Sequence, residues 1–147
     1  MVWGCFSYYG KGKLIILDNN INSISYQQIL SEHLIDSLNM MGLNDFIFQQ
    51  DNAPIHTSKL LQNFFKENNI KLLHWPANSP DLNPIENIWG YMSLQLSKRT
   101  LKSINDLKNQ IIDIWENLDP NYLQKLANSM PNRLRQVIES NGKQTKY

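Results

Sequence analysis

The chain has 147 residues, 41% of them hydrophobic and 18% charged, with a net charge of +1. That is enough chain for one domain with a sizeable core, and the composition excludes disorder. One cysteine, Cys5, excludes an internal disulfide and a cysteine-rich zinc site, and fits a reducing, intracellular setting.

In chain order, residues 2–7 and 13–17 form β-branched, aromatic or aliphatic runs separated by glycine-bearing residues. This predicts a hairpin with Gly10 and Gly12 in its turn. The first residues lack a basic segment followed by a long apolar run, so they do not read as a signal peptide. The aliphatic run at residues 14–17 is far too short for a bilayer. Tyr26, Ile29, Leu30, Leu34, Leu38 and Met41 recur at helical spacing, with Ser25 as the expected N-cap and Gly42 as the stop. Residues 46–48 are a short buried-strand run leading to Asp51. Thr57 or Ser58 caps a second helix, with Leu60, Leu61, Phe64 and Phe65 on its stripe, and residues 70–75 read as another strand.

A proline-rich loop follows, with Pro76, Pro80 and Pro84. Asn83 is the expected cap of a third helix, with Pro84 in its first turn and Ile85, Ile88, Trp89, Met92 and Leu96 on its stripe. Three more helical patterns close the chain, at residues 104–118, from Asp119-Pro120, and at 130–140. A helix between successive strands implies parallel pairing and an α/β layer structure. Sites in such sheets lie beyond the carboxyl ends of strands. Asp51 ends one strand, and Glu86 lies one loop beyond the next, with 34 residues between them.

Two carboxylates at one sheet edge suit Mg²⁺ or Mn²⁺, the hard ions that activate a water or hydroxyl against a phosphodiester. Simpler readings stand beside this one. Asn83-x-x-Glu86 has the spacing of a capping box, and Asp51 before Asn-Ala-Pro can fold an Asx-turn. Gly90, Ser93 and Ser97 continue the helix face below Glu86. A mid-helix glycine costs about 1 kcal/mol against alanine, so a close approach to that face is expected. His56 either meets a phosphate, supports a neighbouring group, or is structural; His33 and His74 read as structural, and Asp81 as a loop residue. The four tryptophans, Trp3, Trp75, Trp89 and Trp115, read as core or loop anchors. No zinc spacing and no glycine-rich phosphate loop is present. Residues 1–97 carry a charge of −3 and residues 98–147 a charge of +4, either a solvated helical surface or a nucleic-acid contact.

Several segments together resemble the Tc/mariner superfamily of cut-and-paste DNA transposases. They are residues 2–7, Gln49-Gln50-Asp51-Asn52-Ala53-Pro54 with His56-Thr57, and Trp75-Pro76 leading into residues 79–89. The closing residues 129–133 and 145–147 fit as well. The resemblance runs the whole length. It implies an α/β, RNase H-like mixed sheet with flanking helices, lacking the N-terminal central strand and followed by a C-terminal helical segment. It also implies catalysis by an Asp-Asp-acid triad with two Mg²⁺ or Mn²⁺ ions. Asp51 then corresponds to the second Asp and Glu86 to the third acid, and the spacing of 34 matches the branch whose third acid is Glu.

Family members carry a helix-turn-helix region and a strand with the first Asp before the part resembling residues 2–7. The expectation is therefore one partial catalytic domain over residues 1–147, with 98–147 a basic helical extension. Its two-metal site would be incomplete, and these residues alone inactive. The alternative is a non-catalytic remnant that binds nucleic acid or a partner. DNA is the implied partner, with a homodimer or pairing to a full-length transposase, in the nucleus. The expected DNA contacts are His56, Lys98, Arg99, Lys102, Arg133 and Arg135.

Overall fold

The computed structural model describes residues 1–18, 20–76 and 79–142, which leaves the resemblance at residues 145–147 outside the described residues. Strands β1 (Val2–Ser7) and β2 (Gly10–Ile16) form one two-stranded sheet. Reciprocal bonds between Met1 and Leu17, at 2.8 and 3.2 Å, close its open end as an antiparallel pair. The turn falls on Tyr8 and Tyr9, earlier than the glycines suggested, and Gly10 already belongs to β2. Its φ of +150° is one that only glycine adopts readily, so Gly10 leads the chain out of the turn.

Helix α1 (Ser23–Met40) buries Tyr26, Ile29, Leu30, Leu34 and Leu38, the stripe its periodicity predicts. Its cap is Asn22, not Ser25. The Asn22 side chain accepts the Ser25 amide at 3.0 Å, and the Ser25 hydroxyl donates back to it. Asparagine one turn earlier satisfies the open helix amides as well as serine would. Gly42 (φ +66°) ends the helix, with the Leu43 amide on the Leu38 carbonyl at 3.0 Å. Ser37, fully buried, accepts the Lys13 amide at 3.0 Å and donates to the His33 carbonyl at 2.7 Å, tying α1 to β2.

Strands β3 (Ile47–Phe48) and β4 (Lys71–Leu72) pair in parallel, with α2 (Lys59–Glu67) between them in sequence, as an α/β connection requires. Both are shorter than the apolar runs that announce them. Beyond Phe48 side chains take over the pairing. The Asn52 amide donates to the Trp75 carbonyl at 2.8 Å, and Gln50 turns to Tyr26. Ser58 caps α2, whose Leu61, Phe64 and Phe65 are buried.

A 3₁₀ turn (Pro80–Leu82) leads into α3 (Ile85–Ser97), followed by α4 (Ile104–Glu116), α5 (Pro120–Asn128) and α6 (Met130–Glu139). Pro84, not Asn83, occupies the cap position of α3, and no side chain caps it by a hydrogen bond there. The proline still serves the start of the helix, because its fixed φ suits a helix entry. Ser103 and Asp119 cap α4 and α5 with their side chains. The chain divides into two compact units, one of residues 1–4 and 11–79 and one of residues 5–10 and 80–147. The first has its core between α1 and α2. The second is centred on Ile88, Met92, Ile114, Trp115, Leu118 and Leu123, with Trp89 stacked on Trp115 at 5.7 Å. Each such side chain contributes about 1.5–3 kcal/mol by burial.

Candidate metal centre

Asp51 stands three residues beyond the end of β3, in the first unit. The sequence Asp-Asn-Ala-Pro folds the Asx-turn its composition allows: Asp51 Oδ1 accepts the Ala53 amide at 3.1 Å. The same oxygen meets His56 Nδ1 at 2.6 Å. Among the described residues these are the bonds that reach the carboxylate, and both fall on Oδ1. The side chain is 57% exposed.

His56 is held in turn. Its ring, 18% exposed, lies against Tyr26 with centroids 4.4 Å apart. The Tyr26 hydroxyl donates to Gln50 Oε1 at 2.9 Å, and the Gln50 amide donates to the His56 carbonyl. The backbone amides of His56 and Thr57 both bond the Ala53 carbonyl, which closes the turn. His56 is thus a support for Asp51. Tyr26 and Gln50 were not singled out from sequence: Tyr26 reads there as one more member of an apolar stripe.

Glu86 lies in the first turn of α3, exposed, in the second unit. An acid in a helix's first turn sits at the favourable end of its dipole. The residues around it are fixed by contacts distant in sequence. Tyr122 of α5 donates its hydroxyl to the Asn87 carbonyl at 3.1 Å, and Tyr91 packs on its ring at 5.4 Å. Burial, and then Tyr91, push the Tyr122 hydroxyl's pKa up, with Arg133 opposing. Loss of its proton is thereby disfavoured, which keeps it a donor.

The basic residues separate into two kinds. Arg133, expected to meet phosphates, is 1% exposed. Its Nε donates to Ser129 Oγ at 2.8 Å, Nη1 to the Asp81 carbonyl at 2.6 Å, and Nη2 to Asn87 Oδ1 at 2.8 Å. Its donors serve the fold, which corrects the sequence expectation. Arg99 joins α3 to α4 through Asp113 Oδ2 at 2.8 Å and through Gln110. Lys98, Lys102 and Arg135 are exposed and make no side-chain ion pair among the described residues. Asp81, expected to be a loop residue, sits buried in the 3₁₀ turn. Gly90 is exposed, and a Cβ built there meets nothing within 4 Å. The close approach expected below Glu86 is therefore absent among the described residues, because that face of α3 is open.

Among the described residues no cluster of three or more His, Cys, Asp or Glu side chains is gathered to hold a metal by itself. The donors suit a hard divalent ion nonetheless: an exposed carboxylate with one oxygen unclaimed, and an exposed glutamate. No described helix is long and apolar enough to cross a membrane.

A short parallel sheet with a carboxylate just past one strand's end, followed by a helix opening on a second acid, fits an RNase H-like fold. The chain belongs to the DDE superfamily endonucleases, whose family model matches residues 1–108. Among its relatives is the Tc3 transposase of Caenorhabditis elegans, 40% identical over 149 residues, an alignment covering 100% of this chain and 45% of that protein. The Mos1 transposase catalytic domain, solved with Raltegravir and Mn, has the same fold: TM-score 0.85, 22% identity, covering 99% of this chain and 82% of that one. The Mos1 paired-end complex with the left transposon end superposes with TM-score 0.85 at 24% identity, over 97% of this chain and 43% of that one. These likenesses make the chain a region of a Tc1/mariner-type catalytic domain with an RNase H-like fold. It spans about half the length of the curated relatives it matches.

Proposed function

We propose that Asp51 and Glu86 are the second and third acids of a divalent-metal centre that cleaves and joins DNA strands in a cut-and-paste transposase. The observation that carries this is the state of Asp51: one oxygen fixed by His56 and the Ala53 amide, the other presented outward past a strand end. Mg²⁺ is the natural ion, with Mn²⁺ as substitute, since both prefer carboxylate oxygen and phosphate. Such ions activate an attacking water or hydroxyl and stabilise the leaving oxygen of the phosphodiester. Here Asp51 Oδ2 and the Glu86 carboxylate would hold them. His56 keeps the Asp51 rotamer, and the open face at Gly90 gives a nucleic-acid backbone room beside Glu86.

DNA is the substrate, which the transposon end in the Mos1 complex supports, and the setting proposed with it is the nucleus. Residues 98–147, of which 143–147 lie outside the described residues, act as a basic extension, with Lys98, Lys102 and Arg135 as the phosphate contacts. Replacing these three by alanine is expected to flatten the salt dependence of DNA binding by about 0.9 per lost contact.

The test has two arms. Mn²⁺ added to the isotopically labelled chain should broaden amide resonances around both Asp51 and Glu86, and broadening at only one of them overturns the shared centre. These 147 residues by themselves are expected not to cleave transposon-end DNA with either metal. A version preceded by a strand bearing an aspartate is expected to cleave it, and Asp51→Asn to abolish that activity. Metal-dependent cleavage by the short chain, lost on Asp51→Asn, would show that two acids suffice.

A further inference from the structure

We infer that Arg133 is a positioning residue for Glu86: from α6 it fixes the first turn of α3, and so sets where the acid is presented. This rests on the reading of Glu86 as a metal ligand. The two residues are 47 positions apart in sequence.

The N-terminal turn of a helix has amides without intrahelical partners and frays unless something caps or packs it. The cap position of α3 is Pro84, which offers no side-chain hydrogen bond, and the amides of Glu86 and Asn87 bond the Asn83 and Pro84 carbonyls at 3.1 and 3.2 Å. Glu86 is carried by that turn, so where the turn is set decides where the acid is presented. A metal ligand must be held to about half an ångström.

The turn is held from outside. Arg133 Nη2 grips the side chain of Asn87, the residue after Glu86, and Nη1 grips the Asp81 carbonyl in the 3₁₀ turn that feeds the helix. Nε is anchored on Ser129 Oγ, four residues back in its own chain. The guanidinium is planar, so these three bonds share one rigid fork, and the entry and the first turn of α3 are set relative to α6 together. Tyr122 adds a fourth tie, on the Asn87 carbonyl. At 1% exposure the fork works without competition from water.

A long-range residue holding a helix end could serve stability alone. The bonds distinguish the two roles, because two of the three land on the segments that flank Glu86. Lysine in place of Arg133 keeps the charge and much of the stem but cannot span these acceptors. Supports of metal ligands are worth about 10–100-fold in metal affinity.

The experiment is a Mn²⁺ titration of the full chain followed by amide broadening near Glu86 and Asp51, the two acids of the proposed centre. In Arg133→Lys the Mn²⁺ concentration for half-broadening is expected to rise about tenfold at both. Asn87→Ala, which removes one arm of the fork, should raise it by a smaller factor, and it decides the matter if Arg133→Lys loses its dispersed, folded spectrum. A half-broadening concentration unchanged from wild type in the folded variant, whatever happens to the melting temperature, makes Arg133 structural only and overturns the inference. No broadening near Glu86 in the wild-type chain would remove the reading of Glu86 as a ligand, and the inference with it.

Discussion

The two acids draw their visible support over different ranges. Asp51 is secured through its own side chain, by an amide two residues on and an imidazole five residues on. Glu86 is secured through the backbone that carries it, by Arg133 and Tyr122 acting on Asn87 and Asp81 across 35 to 52 residues. The contrast teaches that one family motif can be locally self-sufficient while its companion depends on the assembled helical unit. Damage to the second unit's packing should therefore reach Glu86, whereas Asp51 should be disturbed chiefly by changes in its own turn and in Tyr26.

Four substitutions sharpen that contrast, beginning with the largest effect. Arg133→Met strands the Asp81 carbonyl, Asn87 Oδ1 and Ser129 Oγ. Each stranded buried acceptor costs about 1–3 kcal/mol and such costs add incompletely, so a loss of about 3–5 kcal/mol is expected in urea unfolding. A loss below about 1 kcal/mol would mean that the fork does not hold the helical unit together.

His56→Ala removes one bond to Asp51 and the ring contact with Tyr26. The expected cost is about 1–2 kcal/mol, smaller than for Arg133 because the group is less buried and Asp51 can turn to water. Chemical shifts should change around Tyr26 and Gln50 and stay fixed around Asn87. Movement at Asn87 would contradict the independence of the two supports.

Gly90→Ala should stabilise the chain, by up to about 1 kcal/mol, since the position is mid-helix, exposed and open to a Cβ. If a nucleic-acid backbone uses that space, the same variant should bind DNA more weakly while melting higher. Destabilisation would show that the face is packed after all.

The smallest effect concerns the Lys13–Asp36 pair at the surface of the first unit, at 2.5 Å. The hydrogen bond from Lys13, and then its charge, hold the Asp36 carboxyl below the usual carboxylate range. A carboxyl lowered in the folded state stabilises it above the unfolded pKa, and this contribution fades as pH falls through the folded value. Lys13→Met should remove that acid-side decline and change the melting temperature little at neutral pH. An unaltered decline would assign it to other carboxylates.

Much was readable from residue order alone, and the reason is range. Helical patterns marked the six helices of the described residues, most of them by periodicity, because a stripe facing a core needs apolar residues every third or fourth position whatever it faces. The Asx-turn at Asp51 was readable because its partners lie within five residues. Boundaries were less so. The hairpin turn moved to Tyr8-Tyr9, and the cap of α1 to Asn22, since neighbouring residues can each meet the same local demand. The lengths of β3 and β4 were hidden because a ladder extends only as far as its partner strand does.

The sequence by itself determined the α/β order of elements and the likeness to transposases, and it singled out the two acids proposed for the metal centre. Those follow from short-range pattern and from motifs in which each residue's role is tied to its neighbours. Only the tertiary structure decided which charges face water. Arg133 and Arg135 stand two positions apart on one helix, are chemically identical, and look alike as candidates for DNA. One is sealed in a fork of three protein oxygens and the other is exposed. A helix turns about 100° per residue, so two positions place side chains on nearly opposite faces. Which face is covered depends on elements 46 and 52 residues away, and no local pattern records that.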